Sequence, residues 1–304
     1  MADLENSWYN ASFDEGRQTL RSWREDNARR SEETVEIWEH VLSRKPTALG
    51  DELWVVYEQV FIASLDCGRL DVAQECITAL YSKFPKSHRV LKLEAMRLET
   101  LGKFEEALRV YDSLIKKDEP NAIYHKRKVA IFKAQGLVAE AIDLLNEYLS
   151  KFMNDNEAWM ELSELYLSEQ DYVRAAFCFE ELILSNPHNH LFHQRFAEIK
   201  YTQGGLDNLE TAKSYFSQAA KLNTNNMRAL YGLFTCCAQL LTGGKLSGQK
   251  RKDCTKLASW AADEIMQRYS GEDLNNSSES ELMLKAVDAV LKSVNLTQPQ
   301  TSTN

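Results

Sequence analysis

Between residues 156 and 187 the apolar positions fall into two short sets separated by a polar break. Trp159, Leu162, Leu165 and Tyr166 recur at three- and four-residue intervals, and Ala175, Phe179 and Leu182 do the same after Glu169-Gln170-Asp171. That spacing puts each set on one face of an α-helix. Trp159, Leu162 and Tyr166 are expected in the core of the first helix. Ala175 is the small residue expected where the two helices cross closely, Phe179 fills the gap to the next unit, and Pro187 stops the second helix. Neither stripe can be buried within one short hairpin, so the unit requires neighbours.

Those neighbours lie upstream at a constant interval. Ala73, Ala107, Ala141 and Ala175 are each 34 residues apart, and Gly68, Gly102 and Gly136 share the phase of Gln170. The pattern W-x2-L-x3-Y…A-x3-F…P at this period is the tetratricopeptide signature. It predicts an all-α fold, a superhelical solenoid of α–α hairpins, with repeats at 54–86, 88–120, 122–153 and 156–187. In the third, His125 and Lys128 occupy the positions of Trp159 and Leu162, so the lysine marks either a shifted register or a stem snorkelling over apolar neighbours. A fifth unit follows Pro187. Its small residue, Ala212, comes 37 residues after Ala175, and the three extra residues are expected in the turn at Gly204-Gly205.

Outside the repeats, a helix is expected over 13–28, then one over 31–44 with Ser31 as N-cap, with Asp51 capping the helix after it. Helices over 227–241 and 251–269 make a last pair. The expected organisation is an N-terminal segment and short helix (1–30), one helical solenoid domain (31–269) and a flexible linker (270–280). A capping helix (281–294) carrying Leu282, Leu284, Val287, Val290 and Leu291, and a disordered tail (295–304), complete it.

Charge and cysteine usage narrow the function. The 304-residue chain carries a formal net charge of −9, which argues against nucleic acid as a general partner. No apolar run reaches the length of a membrane span, and the N-terminus lacks the features of a signal peptide, so the expected compartment is the cytosol. The six cysteines form no C-x-x-C pair and are expected as buried free thiols. Phosphate-loop, dinucleotide, zincin and nucleophile-elbow motifs are absent. His188, His190 and His193 are the one ligand-like cluster, and they are expected to serve an inter-repeat turn and the following helix start. The sequence therefore predicts no enzyme, no cofactor and no metal.

A helical solenoid offers instead a concave face lined by the first helix of each repeat. Its groove positions hold Arg89 and Lys92, then Lys126, Arg127 and Lys133, then Glu157, Glu161 and Glu164, then Arg195. A basic stretch beside an acidic one would suit an extended acidic segment, the charges setting register and on-rate. The Lys/Asn clamp by which co-chaperone repeats hold a terminal carboxylate is missing, since Glu58, Ile62, Glu157 and Glu161 stand at its positions. A free adaptor or co-chaperone remains the alternative.

Several stretches go beyond what the repeat demands: WREDNARRSEE (23–33), VYEQVFIASLDCGR (56–69), FPKSHRV (84–90), LNEYL (145–149), NEAWMELSELY (156–166), AAFCFEEL (175–182), NPHNHL (186–191), KYTQGGLDNLE (200–210), NMRALYGL (226–233) and ASWAA (258–262). With these, the chain resembles the subunit 2 family of the endoplasmic reticulum membrane protein complex. It departs from that family in the first 12 residues, at 242–253, before Pro120 and at the C-terminus. The resemblance implies a non-catalytic cytosolic scaffold, peripheral on the cytosolic face of the membrane. It would organise membrane-embedded subunits with cytosolic segments and a cytosolic partner of the subunit 8 or 9 type. The complex so assembled is an insertase for tail-anchored and multipass membrane proteins.

Overall fold

The computed structural model describes residues 8–243 and 246–269, together with Lys285, Asp288 and Ala289, which are helical. The expected linker at 270–280 and the tail at 295–304 lie outside the described residues, as does the capping helix at 281–294 but for those three positions. All regular structure among the described residues is helical. By backbone contacts the chain divides into two compact units, Met1–Leu144 and Leu145–Asn304.

The first unit opens with α1 (Phe13–Glu25). Ser12 accepts the Glu15 N–H at 3.2 Å while the Glu15 carboxylate accepts the Ser12 N–H at 3.4 Å, a reciprocal capping box. Helix α2 (Ser31–Ile37) continues through a π-helical turn, Trp38–Leu42. Ser31 is not the N-cap expected of it. Arg30 takes that position, and the Ser31 hydroxyl donates instead to Asp66 at 2.7 Å. Asp51 is likewise not a cap. A 3₁₀ segment, Pro46–Glu52, leads into α3 (Leu53–Asp66), and Glu52 faces α1. Arg17, Arg21 and Arg24 stand one turn apart on one side of α1, and all three donate to the Glu52 carboxylate at 2.6–2.7 Å. The Arg21 guanidinium, with Arg17 beside it, draws the Glu52 carboxyl down to about 2. The wide apolar set of α3 is explained by what covers it: Val56, Val60 and Phe61 are fully buried in one cluster with Leu20, Ile37 and Trp38 of the N-terminal elements.

Three hairpins then follow in the expected register. The first two are α3 with α4 (Leu70–Lys83) and α5 (His88–Thr100) with α6 (Phe104–Ile115); in the third, α7 (Ala122–Ala134) lies in the first unit and α8 (Val138–Lys151) crosses the division. The second unit holds α9 (Asn156–Ser168) with α10 (Tyr172–Ser185), α11 (His190–Gln203) with α12 (Leu206–Leu222), and α13 (Met227–Thr242) with α14 (Gly248–Tyr269). Asp155, Asp171, Asn189 and Asn226 each cap the helix they precede by accepting a first-turn N–H.

Ala73, Ala107, Ala141, Ala175 and Ala212 are all 0% exposed. At the α9–α10 crossing the fully buried Ser163 hydroxyl donates to the Ala175 carbonyl at 3.2 Å, an approach a larger side chain would block. Leu162, Tyr166 and Phe179 are buried, and the Phe179 ring meets Phe192 of α11 edge-on with centroids 6.4 Å apart. Trp159 is a correction, because it is only half-buried. Its indole N–H is held by the Met153 carbonyl at 2.8 Å and its ring meets Phe177, so it lies over the hairpin's flank rather than inside it. Pro187 is exposed, two residues past the end of α10.

The three extra residues of the fifth repeat are not in the turn. Only Gly204 and Gly205 separate α11 from α12, whereas Glu169-Gln170-Asp171 separate α9 from α10. The insertion lengthens α12, which has 17 residues against 14 in α10 and places Ala212 one turn later. As helix, the added residues bond their own amides and bury Leu209, which a longer loop would not.

The turn phase has a backbone cause. Gly68, Gly102 and Gly136 have φ of 71°, 71° and 75°, and Gln170 at the equivalent place has φ of 60°. A Cβ costs roughly 1–2 kcal/mol in that left-handed region. Gly136→Ala should therefore destabilise the chain by about 1–2 kcal/mol, while Gln170→Gly should leave the midpoint of urea unfolding unchanged or raise it. The Glu52 cluster gives a second test. A carboxyl depressed to about 2 contributes stability that is complete above its unfolded value of about 4.3 and is lost as pH falls through that interval. Glu52→Gln should cost about 1–3 kcal/mol at pH 7, and the gap to wild type should narrow between about pH 4.3 and 2.

Candidate functional site

Each unit presents a face built from the first helices of its hairpins, and the two faces differ in chemistry. In the first unit the expected basic positions do not stand alone. Arg89 of α5 donates to Glu58 of α3 at 2.5 Å, and Arg127 of α7 approaches Glu99 of α5 at 3.3 Å. Successive first helices are thus joined by ion pairs across the very positions read as a cationic groove. The Glu99 pair is the more enclosed. The fully buried Tyr111 donates its phenol to Glu99 at 2.5 Å, and Arg127 reaches the same phenol oxygen at 3.5 Å. Burial holds the Glu99 carboxyl above its usual range, opposed by the Tyr111 phenol and then by the Arg127 charge. Lys92 and Lys126 are half-buried and Lys133 is exposed.

Lys128 answers the question raised by its place in the repeat. The register is intact, and the stem passes over the hairpin while the ammonium reaches Asp112 of α6 at 2.8 Å. His125 bonds through Nε2 to the Glu119 carbonyl at 3.1 Å. Both side chains tie α7 to the hairpin before it.

In the second unit Glu157 and Glu164 are exposed and Glu161 is half-buried on α9, while Arg195 on α11 pairs with Glu198 at 2.9 Å. Glu198 also accepts from Gln194 at 2.8 Å. Between α11 and α13 a cavity of about 330 Å³ opens, walled by Tyr201, Tyr231, Glu198 and Arg228. Phe216 forms its floor against Gly232, where a Cβ would lie 2.4 Å from the ring. Sequence patterning missed this feature, because Gly232 sits mid-helix with no turn to advertise it.

The three histidines part company. His188 is exposed in the turn, and Asn189 is the N-cap of α11. His190 lies between Asn223 and Asn226 at 3.0 and 2.9 Å, and His193 bonds to the Pro187 carbonyl at 2.8 Å. His190 and His193 thus fasten the start of α11 to the turns on either side. Among the described residues no group of three or more His, Cys, Asp or Glu side chains is placed to hold a metal ion. The six cysteines are unpaired, and burial pushes the Cys76, Cys178, Cys236 and Cys237 thiols up to about 12. No described helix is long and apolar enough to cross a membrane.

Paired helices at a 34-residue interval, fully buried alanines at the crossings and left-handed turn residues define a tetratricopeptide-type helical repeat protein. Residues 78–221 match the family model described as the EMC2 TPR-like repeat domain. The chain is 47% identical over 292 residues to the ER membrane protein complex subunit 2 of Xenopus tropicalis, covering 95% of this chain and 97% of that one. It is 34% identical to the protein of the same name from Dictyostelium discoideum, covering 86% and 85%. The chain belongs to the ER membrane protein complex subunit 2 family. Among solved structures, the C-terminal part of a TPR repeat-containing protein from Cytophaga hutchinsonii shares the fold with a TM-score of 0.57 at 16% identity, covering 88% of this chain and 98% of that one.

Arg127→Ala leaves the Glu99 carboxylate without its counter-charge and should destabilise by about 1–3 kcal/mol in urea unfolding. Adding Glu99→Gln should recover part of that loss, because no buried charge is then left uncompensated. Lys92→Ala should stay within about 0.5 kcal/mol of wild type.

Proposed function

We propose that the chain is a non-catalytic scaffold subunit of the ER membrane protein complex. It acts on the cytosolic face of the endoplasmic reticulum membrane, organising membrane-embedded subunits through their cytosolic segments, together with a cytosolic subunit of the subunit 8 or 9 type. The assembled complex inserts tail-anchored and multipass proteins, and the insertion step belongs to the membrane-embedded subunits. The observation that carries this reading is the end-to-end likeness to the Xenopus tropicalis subunit, which spans 95% of one chain and 97% of the other. The helix faces support it. They carry exposed charge on helical hairpins, and His190, His193, Arg89, Arg127 and the buried thiols are committed to hydrogen bonds, ion pairs and packing.

Lys92, Lys126 and Lys133 are the lysines among the expected groove positions of the first-unit face, and Arg89 and Arg127 join helices. A free adaptor binding extended acidic peptides would use the same lysines without any membrane partner. Purification of the tagged full-length chain from detergent-solubilised cells separates the two. The scaffold reading expects a stoichiometric set of membrane-embedded subunits with wild type, and loss of at least one in Lys92→Glu/Lys126→Glu/Lys133→Glu. Recovery of soluble chaperones alone would give the assignment to the adaptor.

A further inference from the structure

Helix α10 differs from every other second helix of the regular repeats on its outward face. Val173, Phe177 and Leu184 are 73%, 52% and 74% exposed. At 100° per residue they fall within about 40° of one another and form one stripe about 16 Å long. Repeat register supplies an internal control. The position of Phe177 holds Glu75, Arg109, Asp143 and Ser214 in the other second helices, and that of Leu184 holds Ser82, Lys116, Ser150 and Lys221. The fold therefore accepts polar residues at both places, and packing does not call for Phe177 or Leu184. The half-buried Trp159 extends the stripe, its ring edge-on to Phe177 at 6.2 Å and its N–H on the carbonyl of Met153, itself 69% exposed. Exposed apolar side chains gathered on one helix face in this way mark an interaction site.

Charge decides what covers it. Glu180 lies within the stripe between Phe177 and Leu184, exposed and without an ion pair among the described residues, and Glu181 is beside it. The cation at the stripe's other end is neutralised, because Arg174 pairs with Asp171 at 3.5 Å. A second copy of this chain docked through the same face would set like carboxylates against each other, and an anionic lipid surface would meet the same repulsion. We infer that the outward face of α10 docks an amphipathic helix of a partner protein, one with apolar residues at three- and four-residue spacing and a lysine or arginine placed to meet Glu180.

The test replaces Phe177 with photoreactive p-benzoylphenylalanine in the full-length chain, irradiates cells, and sequences the crosslinked peptide by mass spectrometry. The same probe at Arg109, the equivalent place on α6, is the control. The expected result is an adduct on another protein, within a segment of the stated pattern, at several times the control yield. Glu180→Lys or Leu184→Asp should each lower that yield at least fivefold with the melting temperature unchanged, since both side chains are exposed. An adduct on a second copy, on lipid or on a segment lacking basic residues would overturn the inference. So would a yield no higher than at Arg109, or one insensitive to Glu180→Lys.

Discussion

The close crossing of the two helices in each hairpin is the constraint on which the other features depend. It requires a side chain no larger than alanine at one point, and Ala73, Ala107, Ala141, Ala175 and Ala212 meet that requirement with no exposed surface. Once the helices approach that closely, the turn joining them must reverse the chain within two or three residues. A left-handed residue does so, which is why Gly68, Gly102, Gly136 and Gln170 share a phase. The fifth repeat obeys the same rule in another way. Two consecutive left-handed glycines make the turn, and the surplus residues pass into the helix, where backbone bonding absorbs them.

Much of the charge joins one element to another. Arginines bind elements together: Arg17, Arg21 and Arg24 hold α1 to Glu52, while Arg89 and Arg127 join successive first helices. Their guanidinium forks suit carboxylates bidentately and remain charged when partly buried. Lysines also bind elements together at Lys128, which reaches Asp112, and at Lys250, which reaches Glu210. A cationic groove counted from residue types alone therefore overstates what a ligand would meet. The apolar residues on the outer face of α10 are the reverse case, since residue type alone does not show that they are exposed.

Repeat period, helix order, the crossing alanines and the family were legible in the sequence, because each rests on local spacing or on ordered similarity along the chain. A helix start was legible at His190, where Asn189 acts on its own first turn. The caps expected at Ser31 and Asp51 failed, where a distant partner or a different local geometry claims the residue. Trp159 shows the same limit. Helical spacing places it on the apolar stripe, yet spacing cannot say how far the neighbouring hairpin reaches to cover it.

The sequence by itself determined the 34-residue hairpin, its crossing and turn residues, and membership of the ER membrane protein complex subunit 2 family, since these follow from short-range sterics and from the order of residues. Only the tertiary structure decided that Glu58 and Glu99 pair with Arg89 and Arg127, and that Lys128 reaches Asp112. Those outcomes depend on which side chains meet across helices about 15 to 30 residues apart, a relation that no local pattern encodes.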